Sequence, residues 1–140
     1  FMTEVQKEFA IEPASQRTPD RPHQICMYLA GKWHLLTAPE PRRDDPVSRL
    51  DVSLLHDLLL EPILGIDDPR TNNRINFIGG IRGADELERL VDSGKAVVAF
   101  SMYPTTVDQL MAIADAGEIM PPKSTWFEPK LRSGLFIHTF

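Results

Sequence analysis

Ile25-Cys26-Met27-Tyr28-Leu29-Ala30-Gly31-Lys32-Trp33-His34-Leu35-Leu36-Thr37 is the stretch on which the fold of this chain turns. Ile25, Met27 and Leu29 alternate onto one face, and Cys26 and Tyr28 onto the other, which is the period of a strand. Ala30-Gly31-Lys32 reads as a three-residue loop containing glycine. Trp33 to Thr37 reads as a second strand, so the stretch is a β-hairpin.

Outward from the hairpin, strands alternate with helices. Ala38 to Pro46 is rich in proline and charge and reads as an exposed loop. Asp51 is a good N-cap for a helix whose apolar face is Val52, Leu55, Leu58 and Leu59, and Pro62 ends it or kinks it at Glu61. Arg74 to Ile78 alternates like a strand and ends at Gly79-Gly80. Asp85 to Asp92 carries Leu87, Leu90 and Val91 on one helical face and closes at Ser93-Gly94. Ala96 to Met102 is a continuous apolar run, which suits a buried central strand. Thr106 and Gln109 form a capping box for a helix with an expected apolar face of Val107, Leu110, Met111 and Ala114, closed by Gly117. Pro121 to Pro129 must be irregular, and Leu135 to Phe140 reads as a last strand.

This order predicts an α/β domain, with α+β as the alternative. The expectation is a mixed β-sheet with an N-terminal hairpin and about three helices packed on it. Residues 1–23 read as a leading segment in which Val5 and Phe9 to Ile11 pack on the domain. Residues 24–140 read as the single domain, expected to be the C-terminal domain of a longer protein.

A chain of 140 residues can bury a sizeable core without covalent staples. Its 15 basic and 20 acidic residues give a net charge of −5. A nucleic-acid binder needs a basic stripe that is absent here, so no nucleic-acid partner is expected. No stretch is long and apolar enough to span a bilayer, and no helix pairs an apolar face with a basic one, so no membrane partner is expected. The lone Cys26 excludes an internal disulfide and fits a reducing compartment, which makes the expected location cytoplasmic. On its strand Cys26 reads as a small buried apolar residue.

Familiar catalytic signatures are missing: no Gly-x4-Gly-Lys-Ser/Thr loop, no Gly-x-Ser-x-Gly elbow, no His-Glu-x-x-His. His23, His34, His56 and His138 show no ligand spacing, so no metal site is expected. Gly79-Gly80-Ile81-Arg82-Gly83 lies between an expected strand and helix. It suits either a phosphate-binding turn or merely a tight one, and its spacing is not the dinucleotide fingerprint.

Met120 to Gly134 stands apart, with three cations against one carboxylate in an acidic chain. Lys123, Lys130 and Arg132 supply charge, Ser124, Thr125 and Ser133 supply hydroxyls, and three prolines stiffen the backbone. Trp126 and Phe127 add an apolar wall. Ammonium, guanidinium and hydroxyl together suit a phosphate or carboxylate. The bland alternative is a long loop pinned by its aromatics, with its cations in water. The expected anion-binding set is Arg82, Lys123, Ser124, Thr125, Lys130 and Arg132, with a small anionic ligand as partner.

Several strings in the chain are long and distinctive: Gly79-Gly80-Ile81-Arg82-Gly83, Val98 to Thr105, Ala114 to Lys130 and Leu131 to Phe136, with Leu50-Asp51-Val52-Ser53 and Leu60 to Ile66 before them. Together they resemble the end of the bacterial and archaeal family called domain of unknown function 1015, from about Met27 to Phe136. Members of that family are much longer than this chain. An earlier portion carries an Asp-Gly-His-His-Arg type motif in a region similar to the ParB and sulfiredoxin group. The resemblance implies small-molecule phosphoryl transfer, with free L-serine kinase activity the most concrete form, and ATP and magnesium as its cofactors. This chain has neither a His-His pair nor Asp-Gly-His. The implied catalytic residues therefore lie outside it, and its implied partner is the N-terminal region of the same protein. A supporting or homodimerising module without catalytic groups is the alternative function.

Overall fold

The computed structural model describes residues 1–41 and 43–125. The elements run α1 (Met2–Glu8), β1 (Ala10–Pro13), β2 (Gln24–Leu29), β3 (Lys32–Thr37), α2 (Asp51–Leu55), α3 (Gly83–Asp92), β4 (Val98–Met102) and α4 (Val107–Asp115). A π-helical turn, His56–Leu60, continues α2, and a 3-10 turn, Gly80–Arg82, leads into α3. The mixed helix and strand content is that of the α/β class. None of these helices is long and apolar enough to cross a membrane.

The hairpin forms in the expected place but with a tighter turn. Leu29 pairs with Lys32, so the loop is Ala30-Gly31 alone, with φ of 50° and 78°. Two consecutive left-handed residues match the right-handed twist of the flanking strands, which a longer loop would not need to do. The strands order β1-β3-β2-β4, and all three pairings are antiparallel. The parallel pairing expected of a mixed sheet does not occur among the described residues.

Two further expectations are corrected. Arg74 to Ile78 is not a strand: it pairs with none of the four strands, although the outer edge of β4 is open among the described residues. Its backbone is held instead through Arg74, whose amide donates to Asn72 Oδ1 (3.0 Å) and whose guanidinium donates to the Leu64 carbonyl (2.6 Å). β4 is not central. It lies at the edge of the described sheet, half-buried along most of its length, and β2 is the strand buried on both faces.

The leading segment is part of the sheet. α1 passes through Phe9 into β1, and Val5 and Phe9 are buried in the core. β1 is an edge strand ending at Pro13, where a missing amide hydrogen costs no ladder bond. The core lies on the face of Ile11, Ile25, Met27, Leu36 and Phe100, under Leu54, Leu55, Leu58, Leu59 and Leu60. The opposite face carries Tyr28 and Trp33, ring centroids 5.0 Å apart, beneath α3. α3 is tied there by Tyr28 Oη donating to Asp92 (3.0 Å) and Trp33 Nε1 donating to Glu88 (2.7 Å).

In α4 the capping box forms as expected, Gln109 N to Thr106 Oγ1 and Thr106 N to Gln109 Oε1. The buried face differs from the expected one. Ile113 is buried and Leu110 half-buried, while Val107 and Met111 are 70% and 57% exposed and Ala114 is exposed too. Two apolar stripes share this helix, and periodicity alone cannot say which one meets the sheet.

Candidate functional site

The described part of the cationic segment is a proline-led turn. Ser124 Oγ donates to the Pro121 carbonyl (2.6 Å), closing residues 121–124 on themselves. Thr105 Oγ1, from the loop before α4, donates to the Ser124 carbonyl (2.9 Å) and moors the turn to the domain. Between these bonds Lys123 takes φ of 62°, a left-handed conformation that costs a residue with a Cβ about 1–2 kcal/mol. The Lys123 side chain is exposed, Ser124 is half-buried and Thr125 is exposed. Lys130 and Arg132 lie outside the described residues, as do Trp126, Phe127, Ser133 and the expected strand Leu135 to Phe140.

Arg82 is placed elsewhere, in the 3-10 turn ahead of α3, and is exposed. That helix start already carries acid: Asp85 and Glu86 occupy its first turn, and Arg17 pairs with Asp85. The Glu86 carboxyl is held below its ordinary value, first by its bond to Arg89 and further by the fields of Arg89, Arg82 and Lys95. A phosphate at this terminus would face two carboxylates, which favours the tight-turn reading of Gly79 to Gly83 over the anion-binding one.

Two clefts border the loop after β3, and both touch Glu40 and Pro41. One, about 270 Å³, reaches Arg43, Ser48 and Asp57. The other, about 610 Å³, reaches His23, Arg49 and Asp108. The loop is braced by Asp45, which accepts from the Ser48 amide (2.8 Å) and hydroxyl (2.7 Å), and by an Arg49–Asp44 pair. These contacts hold the Asp45 carboxyl below its usual range, the Ser48 bonds foremost.

Asp51 does not cap α2 as expected. Leu50 holds the cap position, and the Asp51 carboxylate accepts from the His23 amide at 2.7 Å. His23 has φ of 65°, and this bond helps hold that backbone. Asp51 is 8% exposed, and burial pushes its pKa up despite the opposing hydrogen bond. Cys26 is fully buried, as expected, with a pKa raised to about 11 by burial and by nearby Asp20.

A constellation that sequence reasoning missed lies on the π-helical turn. His56 Nδ1 is 3.1 Å from Asp57 Oδ1, and His56 Nε2 donates to the Asp67 carbonyl at 3.0 Å. Glu61 closes the π turn, its amide donating to the His56 carbonyl (3.0 Å). In an α-helix, residues five apart point about 140° from each other, so the string His-Asp-x-x-x-Glu reads as scattered. A π turn hydrogen-bonds i to i+5 and brings the first and last onto one side.

No protein-family model, curated protein or solved structure gives a significant match to this chain.

Proposed function

We propose that this chain is the anion-holding module of a phosphate-handling protein. It would serve a cytoplasmic small-molecule phosphotransferase of the free-serine-kinase kind that the family resemblance implies. In this reading the catalytic groups come from the portion bearing the Asp-Gly-His-His-Arg motif. ATP with magnesium supplies the phosphoryl group, and this domain positions and neutralises phosphate oxygens.

The observation that carries the reading is the 121–124 turn. Two side-chain hydrogen bonds hold Lys123 in a strained conformation with its ammonium group outward. A cation on a backbone already ordered by prolines loses little entropy on meeting an anion. Lys130 and Arg132 follow within nine residues of Lys123 in the chain, a short tether to the same anion. Arg82, set among acidic neighbours, is the weakest member of the proposed set. Isothermal titration with inorganic phosphate and with magnesium-ATP tests the reading. Binding that weakens at least about tenfold in Lys123→Ala and in Arg132→Ala supports it. No binding, or affinities unchanged in both variants, removes it.

The alternative of a homodimerising module is favoured by one observation, the outward stripe of Val107 and Met111 on α4. Light scattering that finds a strict monomer at high concentration disposes of it.

A further inference from the structure

His56, Asp57 and Glu61 present one ligand atom each, and these three atoms lie within 4.8 Å of one another. Nothing in the phosphate reading uses them. We propose that this trio binds one divalent transition-metal ion, zinc by preference, at the π-helical turn.

The spacing is the first argument. Two ligands about 2.1 Å from a tetrahedral metal lie about 3.4 Å apart. His56 Nδ1 and Asp57 Oδ1 are already 3.1 Å apart, so small side-chain rotations make room for an ion between them and Glu61. The π turn is what permits this, because it carries Glu61 round to the side of His56.

The second argument lies outside the trio. A metal-bound histidine characteristically donates its other ring N–H to a carbonyl or carboxylate, which fixes the tautomer and aims the ligating nitrogen. His56 Nε2 is anchored in this way, on the backbone carbonyl of Asp67, eleven residues further along the chain. That bond keeps a proton on Nε2, so the proton that Nδ1 donates to Asp57 is the one an arriving metal displaces, leaving Nδ1 as the ligating nitrogen.

The donor set then selects the metal. One imidazole nitrogen with two carboxylates suits zinc, cobalt, nickel or manganese, whereas calcium and magnesium favour oxygen alone. Two carboxylates also balance the charge of a divalent ion. His56 is 25% exposed and Asp57 54%, so an ion has access and keeps water in its remaining position. Asp57 also lines the smaller cleft, with Glu40 and Arg43, so an anionic group entering that cleft would find metal and guanidinium together.

The test uses the whole chain, dialysed free of metal, titrated with zinc chloride in competition with a chromophoric chelator. One-to-one binding is expected, weakened at least about tenfold in both Glu61→Gln and His56→Gln and unchanged in His34→Gln. Nitrogen NMR of the His56 ring should show the zinc-induced shift at Nδ1 and not at Nε2. If His56→Gln fails to fold, Glu61→Gln and the ring shift decide the question alone. No stoichiometric binding overturns the proposal. So does binding that both variants retain, or a shift at Nε2.

Discussion

The Asp51 carboxyl sits 2.7 Å from the His23 amide and is almost wholly out of water. Burial favours its neutral form, so its folded pKa lies above the unfolded value, and the sign of the pH effect follows. Its contribution favours the fold below the unfolded pKa and is lost as pH rises through the raised folded pKa. Asp51→Asn keeps an acceptor for the His23 amide and removes the titration. Urea unfolding from acid to neutral pH should therefore show the variant gaining on the wild type across that window. A constant difference at all pH values would show that burial does not act on this group. Asp51 was legible as a helix-start residue, because N-cap preference is a local code. That it turns away to hold another segment's amide was not, since the partner lies 28 positions off.

At the scale of the element, the hairpin turn carries a correctable strain. Ala30 has φ of 50° ahead of Gly31 at 78°, and a two-residue left-handed turn favours asparagine before glycine. Ala30→Asn should stabilise the protein by about 0.5–1 kcal/mol, and Ala30→Val should cost at least as much. Midpoints of urea unfolding read both, and equal midpoints would contradict the turn geometry. The strands of this hairpin were plain from alternation, but the loop length was not, because Lys32 serves equally as the last loop residue or the first strand residue. The π turn was hidden for a different reason. Its sequence, His56-Asp57-Leu58-Leu59-Leu60, is compatible with an ordinary helix and carries no local mark of the wider turn, in which all three leucines are buried.

Across the whole molecule, the sheet is covered unequally. One face is sealed by the leucines of α2 and the π turn, and the other is bridged by α3, which buries no residue fully and docks through Tyr28, Trp33 and their carboxylate partners. Leu59→Ala, at a fully buried position, should cost about 2–5 kcal/mol. Tyr28→Phe, which loses only the bond to Asp92, should cost about 1 kcal/mol. Unfolding followed by Trp fluorescence compares the two, and similar losses would mean that α3 contributes as much as the leucine layer. What the amino-acid sequence determined by itself was short-range. The Thr106–Gln109 capping box, the glycine stops after α3 and α4, and the alternation of β2 and β3 each depend on residues a few positions apart. The tertiary structure alone decided that β2 rather than β4 is buried on both sides, that Arg74 to Ile78 finds no ladder, that α4 turns Ile113 inward and Met111 outward, and that His56 meets Glu61. The physical reason is that burial and pairing belong to surfaces brought together from distant parts of the chain. A local apolar pattern says that some face is buried, but not which neighbour covers it.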